Sequence, residues 1–143
     1  MSIPSQQIKE RPPVILVVED NLINQKVAVN MLEGLGVETE VAEHGQEALE
    51  VLRECDRVSL VLMDLQMPIM DGVTCAAAIR NGEAGEQYRD VSIVALTANT
   101  SDEHRKACEE VKMNGFMGKP VSLTDFQATV KAHLSDRNRH PSK

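Results

Sequence analysis

Hydrophobic residues along this chain fall into short, nearly unbroken runs, separated by stretches where they recur every three or four positions. The runs are Val14–Val18, Val58–Met63 and Val91–Leu96. Apolar stretches of this length are the pattern of strands covered on both faces. Val37–Val41 alternates instead, as a more exposed strand does, and Phe116–Gly118 reads as a short fifth strand. After the first run, Ile23, Val27, Met31 and Leu35 form an i+4 apolar stripe, with Gly34 and Gly36 at the helix stop. Residues 46–55 predict a helix with Ala48, Leu49 and Leu52 inward and Glu43, Glu47, Glu50 and Glu54 on a solvated side. Residues 72–80 predict another, followed by a Gly-rich loop at 81–90. Thr100 and Ser101 offer N-caps for a helix over 101–113, Thr100-x-x-Glu103 has the form of a capping box, and Asn114-Gly115 stops the helix. Ser122-x-x-Asp125 opens the last helix, whose apolar positions are Leu123, Phe126, Val130 and Leu134.

Five strands alternating with five helices predict an α/β fold, with a parallel sheet covered on both faces and right-handed crossovers. Residues 14–134 carry this pattern as one domain. Residues 1–13 are a polar lead-in ending in Pro12-Pro13, expected to be flexible or extended, and 135–143 form a polar tail.

The charge balance narrows the function. The chain has 15 basic and 22 acidic residues, a net −7, and residues 14–134 alone hold ten basic against twenty acidic. An acidic body gives no electrostatic reason to bind a phosphate backbone, so direct nucleic-acid contact is not expected. The aromatics are Tyr88, Phe116 and Phe126, too few for a platform that stacks bases or a flavin. No apolar run approaches the length of a membrane span, so no membrane contact by this chain is expected. Cys55, Cys75 and Cys108 are isolated, without a CxxC pair. They read as buried small hydrophobes in a reducing, cytoplasmic setting.

In an open parallel sheet, ligands bind beyond the carboxyl ends of the strands. Here the first strand ends in Glu19-Asp20, the third in Asp64 and the fourth in Thr97, and Lys119-Pro120 follows the fifth. Only the second, followed by Glu43 and His44, contributes little. Three carboxylates on one rim repel one another unless a cation joins them. Hard oxygen donors with room for water and phosphate oxygens suit Mg²⁺. Lys119 and Thr97 add an ammonium and a hydroxyl suited to a phosphoryl group, and a carboxylate can accept that group as an acyl phosphate. Each residue also has a plainer reading. Asp20 or Asn21 could cap the first helix, Asp64 and Thr97 could end strands in turns, and Lys119 could be a surface lysine. Asp71-Gly72 reads as a turn and helix cap without chemistry. The ordered placement of these groups at four strand ends favours a shared site.

With these residues in place, the sequence resembles the receiver domain of a two-component response regulator over residues 14–134. The motifs are Val17-Val18-Glu19-Asp20-Asn21, Met63-Asp64-Leu65-Gln66-Met67-Pro68-Ile69-Met70-Asp71-Gly72, Ala95-Leu96-Thr97-Ala98 and Gly118-Lys119-Pro120. The resemblance implies a flavodoxin-like sheet in the order 2-1-3-4-5. It implies Asp64 as phosphoacceptor, with Glu19, Asp20, Asp64 and the backbone carbonyl of Gln66 holding Mg²⁺. It makes Thr97 the switch hydroxyl, Lys119 the phosphoryl partner and Phe116 the aromatic switch, and it places a cis peptide at Lys119-Pro120. Gln66 and Asn99 stand at positions that tune dephosphorylation. The readout surface would be helix 101–113, strand 116–118 and the last helix.

The implied partners are a sensor histidine kinase, a histidine phosphotransfer protein or both, with the chain a monomer or a phosphorylation-dependent dimer. Such a domain catalyses only its own phosphorylation and dephosphorylation and is not an enzyme in the wider sense. Asn21-x-x-Asn24-Gln25-Lys26 and the Gly82–Gly85 insertion most resemble receivers attached to hybrid sensor kinases, so either a hybrid-kinase module or a stand-alone receiver is expected. Two other classes fit less well. An aspartate-nucleophile phosphohydrolase of the haloacid dehalogenase type needs a general acid where Gln66 stands, and Gln66 cannot titrate. A flavin binder needs a phosphate loop where Glu19-Asp20 would repel phosphate. An interaction module that never takes phosphate is a third alternative.

Overall fold

A computed structural model describes residues 12–67 and 69–139, with side chains through residue 134. The chain runs β1 (Val14–Val18), α1 (Leu22–Leu32), β2 (Glu38–Ala42), α2 (Gly45–Glu54), β3 (Val58–Asp64), α3 (Gly72–Arg80), a 3₁₀ turn (Glu86–Tyr88), β4 (Ser92–Thr97), α4 (Asp102–Glu110), β5 (Gly115–Gly118) and α5 (Leu123–Arg139). All strand pairs are parallel, in the order β2-β1-β3-β4-β5. This is the doubly wound, flavodoxin-like architecture expected from the sequence.

Period-two side-chain alternation divides the core into layers. Ile15, Val17, Leu60, Leu62, Val94 and Leu96 point to one side, where Ala28 and Leu32 of α1 and Phe126 and Val130 of α5 cover them. Leu16, Val18, Val61, Met63 and Ile93 point to the other, beneath Ala48, Leu49 and Leu52 of α2 and Cys75, Ala76 and Ile79 of α3. Right-handed crossovers explain the division. The connection from β1 to β2 steps one way across the sheet, and those from β2 through β5 step the other way, so α1 lies opposite α2–α4. That reversal makes β1 and β3 diverging neighbours, and a crevice opens beyond their carboxyl ends.

Arg80 fastens the opposite end of the molecule. Its guanidinium donates to the carbonyls of Arg89 and Val91, to that of Lys112 twice, and to Asn114 Oδ1, at 2.8–3.3 Å. Loop 81–90, the start of β4 and the end of α4 are thereby tied together.

Several local expectations need correction. Ile23 and Val27 are 72% and 47% exposed, because α1 turns Ala28 and Leu32 to the sheet instead. Leu123 is also exposed. Of the two cap candidates for α4, Ser101 is the one used, accepting from the His104 N–H, and the Thr100 capping box does not form. Helix α4 stops at Glu110 because Lys112 already takes a left-handed turn (φ 61°), and Asn114 accepts from the Ile93 N–H. Cys75 and Cys108 are buried, but Cys55 is only partly so. Glu47 does more than face solvent: its carboxylate accepts from the Glu43 N–H at 2.6 Å, while His44 caps the helix. The backbone of α5 continues past residue 134 to Arg139. Most of the expected lead-in, residues 1–11, and the tail end, 140–143, lie outside the described residues.

Candidate functional site

The polar rim forms because buried strands end together. Glu19 and Asp64 are 4% and 6% exposed and Thr97 is 1% exposed, while Asp20 is open to solvent. One carboxylate oxygen from each of Glu19, Asp20 and Asp64 lies within 4.8 Å of the others. Lys119 reaches over them, its Nζ 3.0 Å from Glu19 Oε1 and 3.7 Å from Asp64 Oδ1. The Lys119-Pro120 peptide is cis.

Glu19 is engaged on every side. Its Oε1 meets Lys119, its Oε2 accepts from the Asn21 N–H (3.2 Å) and Asn24 Nδ2 (3.5 Å), and its backbone carbonyl accepts from Gln25 Nε2 (2.7 Å). Burial pushes the Glu19 carboxyl up, but the Lys119 contact and the Asn21 N–H outweigh it and hold the pKa below the usual value. Asp64 responds in the opposite direction. Burial and the neighbouring Glu19 charge raise it to about 6, against the opposing pull of Lys119 and the Gln66 N–H, which donates to Oδ1 at 3.2 Å. Two adjacent carboxylates share a single ammonium, so the second is short of positive charge. A divalent cation fits that deficit, and all-oxygen donors suit Mg²⁺.

The loop carrying Asp64 is set by its neighbours. Asp71 caps α3, accepting from the Thr74 N–H at 2.8 Å, and the Gly72 N–H donates to the Leu65 carbonyl. A Cβ on Gly72 would lie 2.5 Å from the Asp64 carbonyl oxygen, so only glycine lets α3 start this close. Asp71-Gly72 is the turn and helix cap read from the sequence, and it also shapes the site. A cleft of about 630 Å³ opens beside the acids, lined by Asp20, Gln66, Asp71, Glu103 and His104.

Thr97 is turned toward its own loop. Its hydroxyl donates to the Asn99 carbonyl at 3.2 Å and accepts from the Asn99 N–H at 3.0 Å. Phe116 is half-buried against Leu65, Ala95 and Cys108, with the Arg105 guanidinium 4.6 Å from its ring centroid. Helix α4, which carries Arg105, buries only Cys108 among its nine residues. Glu19, Asp20, Asp64, Thr97 and Lys119 therefore lie on one rim, Gln66 lines it, and Phe116 stands on β5 under α4. The roles of Asn24, Gln25 and Gly72 were not apparent from sequence. The Asn-x-x-Asn-Gln spacing was the available signal for the first two.

The fold and the rim together define a class: doubly wound α/β domains with a carboxylate triad and a lysine at the switch point. The comparisons identify which one. The response regulator receiver domain model matches residues 15–131, and the chain belongs to that family. It is 38% identical over 130 residues to hybrid signal transduction histidine kinase K of Dictyostelium discoideum, covering 88% of this chain and 11% of that protein. The chain thus spans about a tenth of that relative's length. Among solved structures, it is similar to the receiver domain of sensor histidine kinase PA1611 from Pseudomonas aeruginosa, which has magnesium coordinated in its active-site cleft. There the identity is 33%, the TM-score 0.77, and the coverage 87% and 98% of the two chains. It is also similar to the receiver domain of Ssk1 from Saccharomyces cerevisiae, crystallised with the histidine phosphotransfer protein Ypd1, at 30% identity, TM-score 0.74, and coverage of 85% and 88%. The protein is thus a receiver domain of the two-component and phosphorelay type. Among the described residues, no helix is long and apolar enough to cross a membrane.

Proposed function

We propose that Asp64 accepts a phosphoryl group from a partner's phosphohistidine, and that the resulting charge switches the α4–β5–α5 surface. The observation carrying this reading is the convergence of Glu19, Asp20 and Asp64 under Lys119 at the β1/β3 crevice. Glu19, Asp20, Asp64 and the Gln66 backbone carbonyl would hold Mg²⁺. When bound, the cation neutralises the carboxylates and the transferring phosphoryl oxygens.

This chain's own part is positioning and charge. An Asp64 oxygen forms the new P–O bond as the P–N bond of the phosphoimidazole breaks. The electron pair returns to the imidazole nitrogen, which takes a proton from water. Lys119, already 3.7 Å from Asp64, pairs with the new charge. Thr97 has one hydroxyl hydrogen, so donating to a phosphoryl oxygen takes it from the Asn99 carbonyl. Releasing Asn99 moves the β4–α4 loop, and the lightly buried α4 shifts with it. Phe116 then turns inward, leaving Arg105, and lacking a hydroxyl it reports by packing alone.

The donor is a histidine phosphotransfer protein or a hybrid sensor kinase, met in the cytoplasm. Leu22, Ile23 and Val27 on α1 are exposed beside the acids and offer an apolar seat for it. The test is transfer from a phosphorylated histidine phosphotransfer protein, with and without chelator. Label should pass to the wild-type chain only with Mg²⁺ and never to Asp64→Asn. Equal labelling of the two chains would overturn the reading.

A further inference from the structure

The Asn21-x-x-Asn24-Gln25 motif carries no role in the chemistry above, although it lies against the acid loop. Asn21 Oδ1 accepts from the Asn24 N–H at 3.0 Å and caps α1, and the Gln25 N–H makes the first helical bond, to the Asn21 carbonyl. The Gln25 side chain then folds back. Its Nε2 donates at 2.7 Å to the backbone carbonyl of Glu19, one residue past β1. The acceptor is a carbonyl, so only the NH₂ end of the amide can make this bond, and its orientation is settled. The Glu19 N–H closes the sheet ladder on the Ala42 carbonyl at 2.9 Å.

Asp20 sits between these fastenings. Its carboxylate is open to solvent, unlike those of Glu19 and Asp64, so burial does not fix its direction. What fixes it is the backbone on either side: Glu19, held by Gln25 and Lys119, and Asn21, whose N–H is held by Glu19 Oε2. Gln25 is partly buried, and its side-chain hydrogen bond goes to the Glu19 backbone carbonyl rather than to a carboxylate. It is placed to act through the peptide that presents Asp20.

We infer that Gln25 is a positioning residue: its amide clamps the β1–α1 turn and thereby sets the aim of Asp20 at the cation. This rests on the Mg²⁺ site of the proposed function and adds to it a residue on α1 that tunes the site. Groups that orient ligands from outside the ligand shell typically change metal affinity about 10–100-fold when removed. A clamp acting through one peptide belongs at the low end of that range.

The test compares wild type, Gln25→Met, which keeps length but has no donor, and Gln25→Lys, which restores one. Hydrogen exchange at the Asn21 amide is measured in metal-free protein, and Mg²⁺ is titrated against the Asp20 and Asp64 amide resonances. Faster Asn21 exchange and about tenfold weaker Mg²⁺ binding are expected in Gln25→Met, with recovery of both in Gln25→Lys. Phosphorylation from acetyl phosphate should need more Mg²⁺ in Gln25→Met yet reach the wild-type rate at saturation. Unchanged Asn21 exchange and unchanged Mg²⁺ affinity in Gln25→Met would overturn the inference. A Gln25→Lys variant that folds and stays as weak as Gln25→Met would overturn it too. If wild type itself binds no Mg²⁺, the proposed cation site fails, while the exchange comparison still decides whether Gln25 clamps the turn.

Discussion

Asp64→Asn should stabilise the metal-free domain, although it removes the residue on which the proposed activity depends. In the fold, the Asp64 carboxyl is raised from an ordinary 3.8 to about 6 by burial and the adjacent Glu19 charge. The folded state therefore holds the Asp64 proton more tightly than the unfolded chain does. For a carboxylate shifted in this direction, folding is penalised once the group ionises. The penalty is absent below the unfolded value, grows as pH rises from about 4 to 6, and is constant above that. A shift of roughly two units corresponds to about 3 kcal/mol at most, from 1.36 kcal/mol per unit. Lys119 at 3.7 Å and the open cleft reduce this, so about 1–2 kcal/mol is expected near pH 7.5. Asn keeps the shape and the acceptor for the Gln66 N–H without the charge.

Urea denaturation of both proteins from pH 3.5 to 8, in chelator, measures the difference. The midpoint of Asp64→Asn should exceed that of wild type at pH 7.5, and the two should converge by about pH 4. Mg²⁺ should narrow the gap at pH 7.5, since a ligand that binds only the folded state stabilises whichever protein holds it better. A mutant less stable than wild type at pH 7.5, or a difference flat across the pH range, would refute the reasoning.

Other perturbations follow from single contacts. Lys119→Ala should destabilise the metal-free protein by about 2–4 kcal/mol in denaturant titrations, because it leaves buried Glu19 beside Asp64 without the ammonium; it should keep Mg²⁺ binding and lose the switch. Gly72→Ala should cost about 1–3 kcal/mol and slow acceptance of phosphate, because its Cβ displaces the Asp64 backbone. Arg80→Ala should cost about 2–4 kcal/mol, since several carbonyls lose their donor together, yet leave Mg²⁺ affinity intact because the site is at the other end of the sheet.

The sheet was legible because strands buried on both faces leave near-continuous apolar runs, as in Val14–Val18 and Val58–Met63. The rim was legible for a related reason: a charged residue directly after such a run has no place except the strand end. Helix orientation was not. Ile23 and Val27 satisfy the helical period as well as Ala28 and Leu32 do, and only packing on the sheet decides which row turns inward. The cap of α4 was legible only to within one residue, because Thr100 and Ser101 offer equivalent hydroxyls and the backbone turn selects Ser101. The close approach of Gly72 is to a backbone carbonyl, which no residue pattern marks, and the Asn-x-x-Asn-Gln spacing singles out Gln25 without revealing that its acceptor is the Glu19 carbonyl.

The central claim is that Asp64 takes the phosphoryl group. It is tested most directly by incubating the protein with Mg²⁺ and acetyl phosphate, reducing it with borohydride, which converts an aspartyl phosphate to homoserine, and mapping the product by peptide mass spectrometry. The account requires homoserine at position 64 in wild type, dependent on Mg²⁺, and none in Asp64→Asn. Homoserine at Asp20 or another acid in wild type, or undiminished reduction product in Asp64→Asn, would contradict it.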